Sequence, residues 1–194
     1  GPGTSYGNQY DVEAIYFDND EDFGYIAIVS GVSPTENVFP GGDIFLDTGT
    51  FQGTGPVNSL LYEYAIDIQE KKLYRISGDV NNQAGWTKTT FYSEANPWIA
   101  THGATRSYIS DVLLNYSTTP VQGHYFLEAR FSLADLGISP SAMNSDIWMH
   151  WTMKCGNDYL NLHGDVNRTI PEPSSLSLLL AGIGLGWRQF RRKK

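Results

Sequence analysis

Val12-Glu13-Ala14-Ile15-Tyr16-Phe17, Asp18-Asn19-Asp20-Glu21-Asp22 and Gly24-Tyr25-Ile26-Ala27-Ile28-Val29 follow one another near the start of the chain. The outer two stretches are rich in β-branched and aromatic residues, and the middle one is a run of turn formers. They read as strand, turn and returning strand. Working outward from this hairpin, further strands are expected at Asp43-Ile44-Phe45-Leu46-Asp47, at Leu61 to Ile68, and at Lys72 to Ser77 after the Glu70-Lys71 turn. Others are expected at Arg106 to Leu114, Tyr125 to Phe131, Ile147 to Met153 and Tyr159 to Val166. Nearly all alternate in polarity, which puts one face on a core and the other in water, as in antiparallel sheets. The one helical turn expected in the body is Ser132 to Gly137, with Ser132 as N-cap and Gly137 ending it. No stretch of the body supplies the long helix of a βαβ crossover. The fold class is therefore all-β: an antiparallel β-sandwich, jelly-roll-like, to which the chain's end adds a C-terminal hydrophobic helix.

Composition agrees with one folded domain. The chain has 194 residues, 13% of them aromatic, with 20 glycines, and about 170 residues outside the tail are enough for a sizeable core. From a total charge of -8, a tail carrying five cations and one acid leaves the rest of the chain at -12. So acidic a body repels phosphate backbones, which argues against nucleic acid as a partner. A single cysteine, Cys155, excludes an intramolecular disulfide and a multi-thiolate metal site. At the other end, Gly1-Pro2-Gly3 has the form of a protease-site scar, with any signal peptide expected to have preceded it.

The tail has three zones in order. Pro171-Glu172-Pro173 is followed by an apolar stretch from Leu176 to Trp187, then by Arg188, Gln189, Phe190, Arg191, Arg192, Lys193 and Lys194. The apolar stretch is shorter than the roughly 20 residues of a typical span, but an interfacial Trp and snorkelling cations extend its reach. The basic cluster is expected to hold the end in the cytoplasm and leave what precedes Pro171 outside. Three glycines, Gly182, Gly184 and Gly186, count against a soluble helix at up to about 1 kcal/mol each. This order resembles the PEP-CTERM sorting signal. The resemblance implies recognition at Pro171, Glu172 and Pro173 by an exosortase, a membrane-embedded cysteine transpeptidase. It also implies a basic anchor end at Arg188, Arg191, Arg192, Lys193 and Lys194. The expected location is the cell surface or extracellular matrix of a Gram-negative bacterium, after transient anchoring in the inner membrane. In the same family, biofilm, flocs and exopolysaccharide are the usual setting.

The order of elements in the body resembles family 9 carbohydrate-binding modules and DOMON-like sandwiches. The resemblance rests on the opening strand pair and on a late strand running into a Leu-Gly turn, Tyr125 to Gly137. A segment from His150-Trp151-Thr152-Met153 to Cys155-Gly156-Asn157-Asp158 is similar to a recurrent extracellular domain of PEP-CTERM proteins. The domain boundaries expected are residues 1–9 as an N-terminal remnant or scar and 10–167 as the extracellular sandwich. Residues 168–175 form a linker holding the Pro-Glu-Pro motif, and 176–194 the transmembrane sorting helix with its basic end.

Candidate chemistry in the body is sparse. The turn Asp18, Asp20, Asp22 has alternating oxygen donors but lacks the Gly and Glu of an EF-hand, since Phe23 and Val29 stand at those places. Self-bonding Asp and Asn side chains explain the same letters. With Asp43 and Asp47, these aspartates are nonetheless the candidate shell for a Ca2+ ion. His102, His124, His150 and His163 show no chelating spacing. Along Ile147 to Met153 the core face is Ile147, Met149, Trp151 and Met153, and Cys155 reads as a small hydrophobe beside a tight turn. No nucleophile elbow and no phosphate loop is present. Between Gly85 and Gly103 the rings of Trp86, Phe91, Tyr92 and Trp98 sit among polar residues without strand-like alternation. Trp86, Tyr92 and Trp98 are the candidate sugar-stacking residues, although the same rings also suit a cover over one open end of the sandwich.

Three functional readings follow. The first is a non-enzymatic surface or matrix protein associated with extracellular polysaccharide, itself the substrate of an exosortase. The second is a self-associating matrix or filament subunit. The third, an extracellular hydrolase, has no motif behind it.

Overall fold

The computed structural model describes residues 7–48, 62–76, 85–101, 105–139 and 145–166. The tail and its expected helix, the linker and the first six residues lie outside the described residues. In chain order the strands are β1 (Val12–Asn19), β2 (Phe23–Ser30), β3 (Ile44–Asp47), β4 (Tyr64–Asp67), β5 (Lys72–Ile76) and β6 (Trp86–Thr87). They continue with β7 (Ile99–Ala100), β8 (Arg106–Asp111), β9 (Leu113–Tyr116), β10 (Tyr125–Ser132), β11 (Ser145–Thr152) and β12 (Tyr159–Val166). Every named pairing is antiparallel.

The opening hairpin forms as its sequence predicts, with Phe17 opposite Ile26 and Asn19 opposite Gly24. Its turn is held by Asp20, whose Oδ1 accepts the N–H groups of Asp22 at 2.9 Å and Phe23 at 2.7 Å. Tyr25 donates its hydroxyl to the other carboxylate oxygen at 2.6 Å. Those bonds, that of Tyr25 first, lower the Asp20 pKa. β10 and β9 extend this hairpin into a four-stranded sheet of order β1-β2-β10-β9, and the second sheet runs β12-β11-β3-β4-β5-β8.

The sheets face each other across one core. Ile26, Ile28, Leu127 and Phe131 from the smaller sheet meet Ile44, Leu46, Ile66, Leu73, Ile147, Met149 and Trp151 from the larger. Period-2 alternation selects these residues, and the expected core face of β11, Ile147, Met149, Trp151 and Met153, is the one turned to this core. Trp151 is fully buried, and its indole N–H donates to the Gly42 carbonyl at 2.8 Å. Truncating such a ring costs about 3–5 kcal/mol. Along one side the sandwich closes where Phe17 of β1 lies against Gly164 of β12.

Two local expectations are corrected. Arg106 to Leu114 is not one strand: Asp111 pairs with Lys72 in the larger sheet, whereas Leu113 pairs with Arg130 in the smaller. The chain changes sheets at buried Val112, just after a bulge in which Leu73 faces Ser110 and Tyr74 faces Tyr108. The extra residue turns the strand out of its ladder. Ser132 is not an N-cap, because it is held in the ladder opposite Phe23. The 3-10 turn Ala134–Leu136 follows Leu133 with no side-chain cap, and Gly137 ends it at φ 74° as expected. Among the described residues no helix is long and apolar enough to cross a membrane.

Candidate functional site

The outer face of the larger sheet is not left to solvent. Phe45, Tyr62, Ala65 and Ile76 form a second small core there, closed by Ala100 and by the half-buried ring of Trp86. The residues from 85 to 101 lie over it, paired to each other through Trp86 opposite Ala100 and Thr87 opposite Ile99. Asp43 fastens this cover: its N–H donates to the Trp98 carbonyl at 2.8 Å, and its Oδ2 accepts the Ala100 N–H at 2.7 Å. Burial, reinforced by the charge of Asp67, pushes the Asp43 pKa up to about 8. His150, fully buried, places Nε2 at 3.1 Å from the Ala95 carbonyl and 3.0 Å from that of Pro97. Nδ1 lies 2.7 Å from Asn161 Oδ1, and burial lowers the imidazole pKa. Gly156, at φ 61°, fits under the cover where a Cβ would lie 2.9 Å from that of Ala95. Beside it Cys155 is buried, and burial raises its thiol pKa.

The expected stacking rings are used in this cover. Trp86, Tyr92 and Trp98 are each half-buried. The Lys154 ammonium stands 5.6 Å from the centre of the Trp98 ring, and the Tyr92 carbonyl accepts the Thr89 hydroxyl. Phe91 is exposed, edge-on to Phe39 at 5.5 Å. The candidate Ca2+ shell is not assembled as one site. Asp18, Asp20 and Asp22 belong to the turn of the smaller sheet, whereas buried Asp43 and Asp47 flank and end β3 of the larger one. The turn carboxylates already accept local donors, Asp18 from the Asn19 N–H at 2.8 Å and Asp20 as above.

The outer face of the smaller sheet is open and forms a groove of about 640 Å³. Two cross-strand rows line it. One runs Asp18, Tyr25, Arg130, Leu113 and the next Tyr16, Ala27, Glu128, Asn115. The small side chain of Ala27 forms the floor between the rings of Tyr16, 60% exposed, and Tyr25, 37% exposed. The guanidinium of Arg130 lies 4.6 Å from the Phe23 ring centre. Alternation in the sequence of β1 and β2 leaves one face of the hairpin to water, and Tyr16 and Tyr25 stand on that face. It gave no sign that β9 and β10 would bring a cation, a carboxylate and an amide beside them.

The histidines are dispersed, as their spacing suggests, although His102 lies outside the described residues. His124 pairs with Glu13 at 3.0 Å, and His163 lies on the outer face of β12 beside Asp146 and Asp165. That trio was missed because only the register of β11 with β12 joins it.

Residues 169–193 match the family model of the PEP-CTERM protein-sorting motif. The chain is thus an exported protein sorted by an exosortase. The PEP-CTERM match takes in Pro171, Glu172 and Pro173 and the basic residues Arg188, Arg191, Arg192 and Lys193. It places the folded body, whose strands end at Val166, directly before the sorting segment. No curated protein and no solved structure matches the chain.

Proposed function

We propose that this is a non-enzymatic protein of the cell surface or extracellular matrix that holds polysaccharide in the groove on the outer face of its smaller sheet. The observation that carries the proposal is the pairing of two exposed tyrosines with Asp18, Glu128, Asn115 and Arg130 along one open groove. Aromatic rings stack on the apolar faces of sugars, and the charged and amide groups around them bond hydroxyls. The groove is open, so a chain can enter sideways rather than by its end. The order of strands in the sequence, which resembles that of family 9 carbohydrate-binding modules, is in keeping with this reading, as is the PEP-CTERM sorting motif. In this role the protein sits on the outside of a Gram-negative cell after passing through an inner-membrane-anchored stage. The exosortase acts on it, and it catalyses nothing itself.

Affinity electrophoresis in gels containing the producer's exopolysaccharide tests the assignment. Wild type should be retarded, Tyr16→Ala and Tyr25→Ala should run ahead of it, and Trp86→Ala should be retarded like wild type. Equal migration of wild type with and without polysaccharide, or full retardation of both tyrosine variants, would refute it.

A second reading, a self-associating matrix subunit, is favoured by one feature. Where the chain passes from β8 to β9 it exposes Tyr108 (56%) and Leu113 (66%) on the edge strands of the two sheets. Edge strands of this kind pair readily with a second chain. Sedimentation of wild type against Leu113→Lys separates this reading from the first.

A further inference from the structure

On the outer face of the β11–β12 hairpin, Asp146 stands directly opposite Asp165 and Trp148 directly opposite His163. Two like charges facing each other across an antiparallel ladder destabilise it, and a cation held between them would relieve that repulsion. The third group at the spot is an imidazole. His163 Nε2 lies 3.4 Å from Asp146 Oδ1, and ligand atoms of all three residues lie within 4.8 Å of one another. On a tetrahedral Zn2+ with ligand distances of about 2.0–2.1 Å, two donors are separated by about 3.4 Å. One edge of that polyhedron is therefore already formed. The indole of Trp148 stacks on the His163 ring, centroids 4.2 Å apart and planes at 14°, which fixes the direction in which Nε2 points.

We propose that Asp146, His163 and Asp165 form a binding site for a divalent transition metal that joins the end of β12 to the start of β11. One nitrogen and two carboxylate donors suit Zn2+ and its neighbours better than Ca2+ or Mg2+, which take oxygen ligands alone. Three protein ligands leave a fourth position for water. With side chains of His163 and Asp146 42% and 44% exposed, the ion enters without any opening of the fold. The acidic body raises the concentration of cations around it. The site's place gives it a role: β12 ends at Val166 and the sorting motif begins at residue 169, so the ion secures the last rungs of the strand that leads into the tail. This assignment is independent of the polysaccharide groove, which lies on the other sheet.

Titration of ZnCl2 into the full chain in detergent, followed by calorimetry, should give one ion per chain, and Co2+ should give the visible bands of a tetrahedral site. His163→Ala and the double variant Asp146→Asn/Asp165→Asn should each bind at least about tenfold more weakly, since even the loss of an outer partner costs that much. Zn2+ at a hundredfold excess over the wild-type Kd should raise the melting temperature of wild type by several degrees and that of His163→Ala by no more than about half as much. His124→Ala should behave as wild type. No heat and no melting shift with Zn2+, or the same affinity in wild type and His163→Ala, overturns the proposal. If the double variant fails to fold, His163→Gln, which replaces one exposed side chain by another of similar polarity, decides on its own.

Discussion

His150 Nε2 lies 3.0 Å from the Pro97 carbonyl oxygen, joining the second-from-edge strand of the larger sheet to the segment laid over its outer face. Since the Ala95 carbonyl shares the same nitrogen, one buried imidazole holds both sides of a short bend. His150→Ala leaves these carbonyls without their donor, at about 1–3 kcal/mol for a buried unsatisfied group. The expected result is a loss of about 2–4 kcal/mol in urea unfolding, with faster amide exchange confined to residues 85–101. Exchange there as slow as in wild type would show that the cover is held by other means.

Asp43 sets a pH dependence of the opposite sign to that of most carboxylates. Burial raises its folded pKa from the ordinary carboxylate range to about 8. The folded state therefore keeps the proton where the unfolded state has lost it, and the stability this gives is full below about pH 4 and lost as pH rises through 8. Asp43→Asn keeps an oxygen for the Ala100 N–H and has nothing to titrate. Its melting temperature should fall less than that of wild type between pH 5 and 8. Parallel curves for the two proteins would count against the protonated form.

His150 acts in the other direction. Burial lowers its pKa, so the unfolded chain takes up a proton first as pH falls below about 6.5, and stability is lost on the acid side. In the Asp43→Asn background this acid limb should appear without the opposing slope, and adding His150→Phe should make it shallower. Melting curves from pH 4 to 7 read the difference.

Where the two sheets close, a Cβ built on Gly164 would sit 2.7 Å from Phe17 Cδ1. Gly164→Val should cost about 1–3 kcal/mol through overpacking. Pairing it with Phe17→Leu should recover part of the loss, because the two sites are in contact and their effects are not additive. Additive losses in denaturant unfolding would place the strain elsewhere.

The sorting motif predicts processing. Protein recovered from the cell surface should have an intact mass lacking the residues beyond the Pro171-Glu172-Pro173 region, and replacing those three by alanine should leave it in the membrane fraction. Full-length chain ending in Lys194, recovered from the matrix, would contradict this.

Several of these features were visible in the letters and others were not. The hairpin of β1 and β2 was legible because alternation and an Asp-Asn turn agree over eighteen residues, Val12 to Val29. The sorting tail was legible because its three zones follow in order. The sheet change at Val112 was not, since Arg106 to Leu114 has strand composition throughout and only the partners, Lys72 on one side and Arg130 on the other, reveal it. The rings from 85 to 101 read either as sugar-stacking residues or as a cover over an open end of the sandwich; that they lie over a sheet face was not legible, because nothing local says that Phe45, Tyr62 and His150 on the far face need burying. The trio at Asp146, His163 and Asp165 spans two strands, and a one-residue change in register would have dispersed it.

β12 is one of the two edge strands of its sheet, and it is also the strand that leads to the sorting segment. From Val166 to Pro171 are five peptide steps, a reach of at most about 18 Å. Any pull on the tail therefore reaches β12 with almost no slack. Drawn along its axis, the strand loads its rungs to β11 together, in shear, and resists as a unit. Drawn sideways, away from β11, it loads them one at a time from the Val166 end. The direction in which the cell holds this protein thus decides whether its last strand behaves as a cable or as a zip.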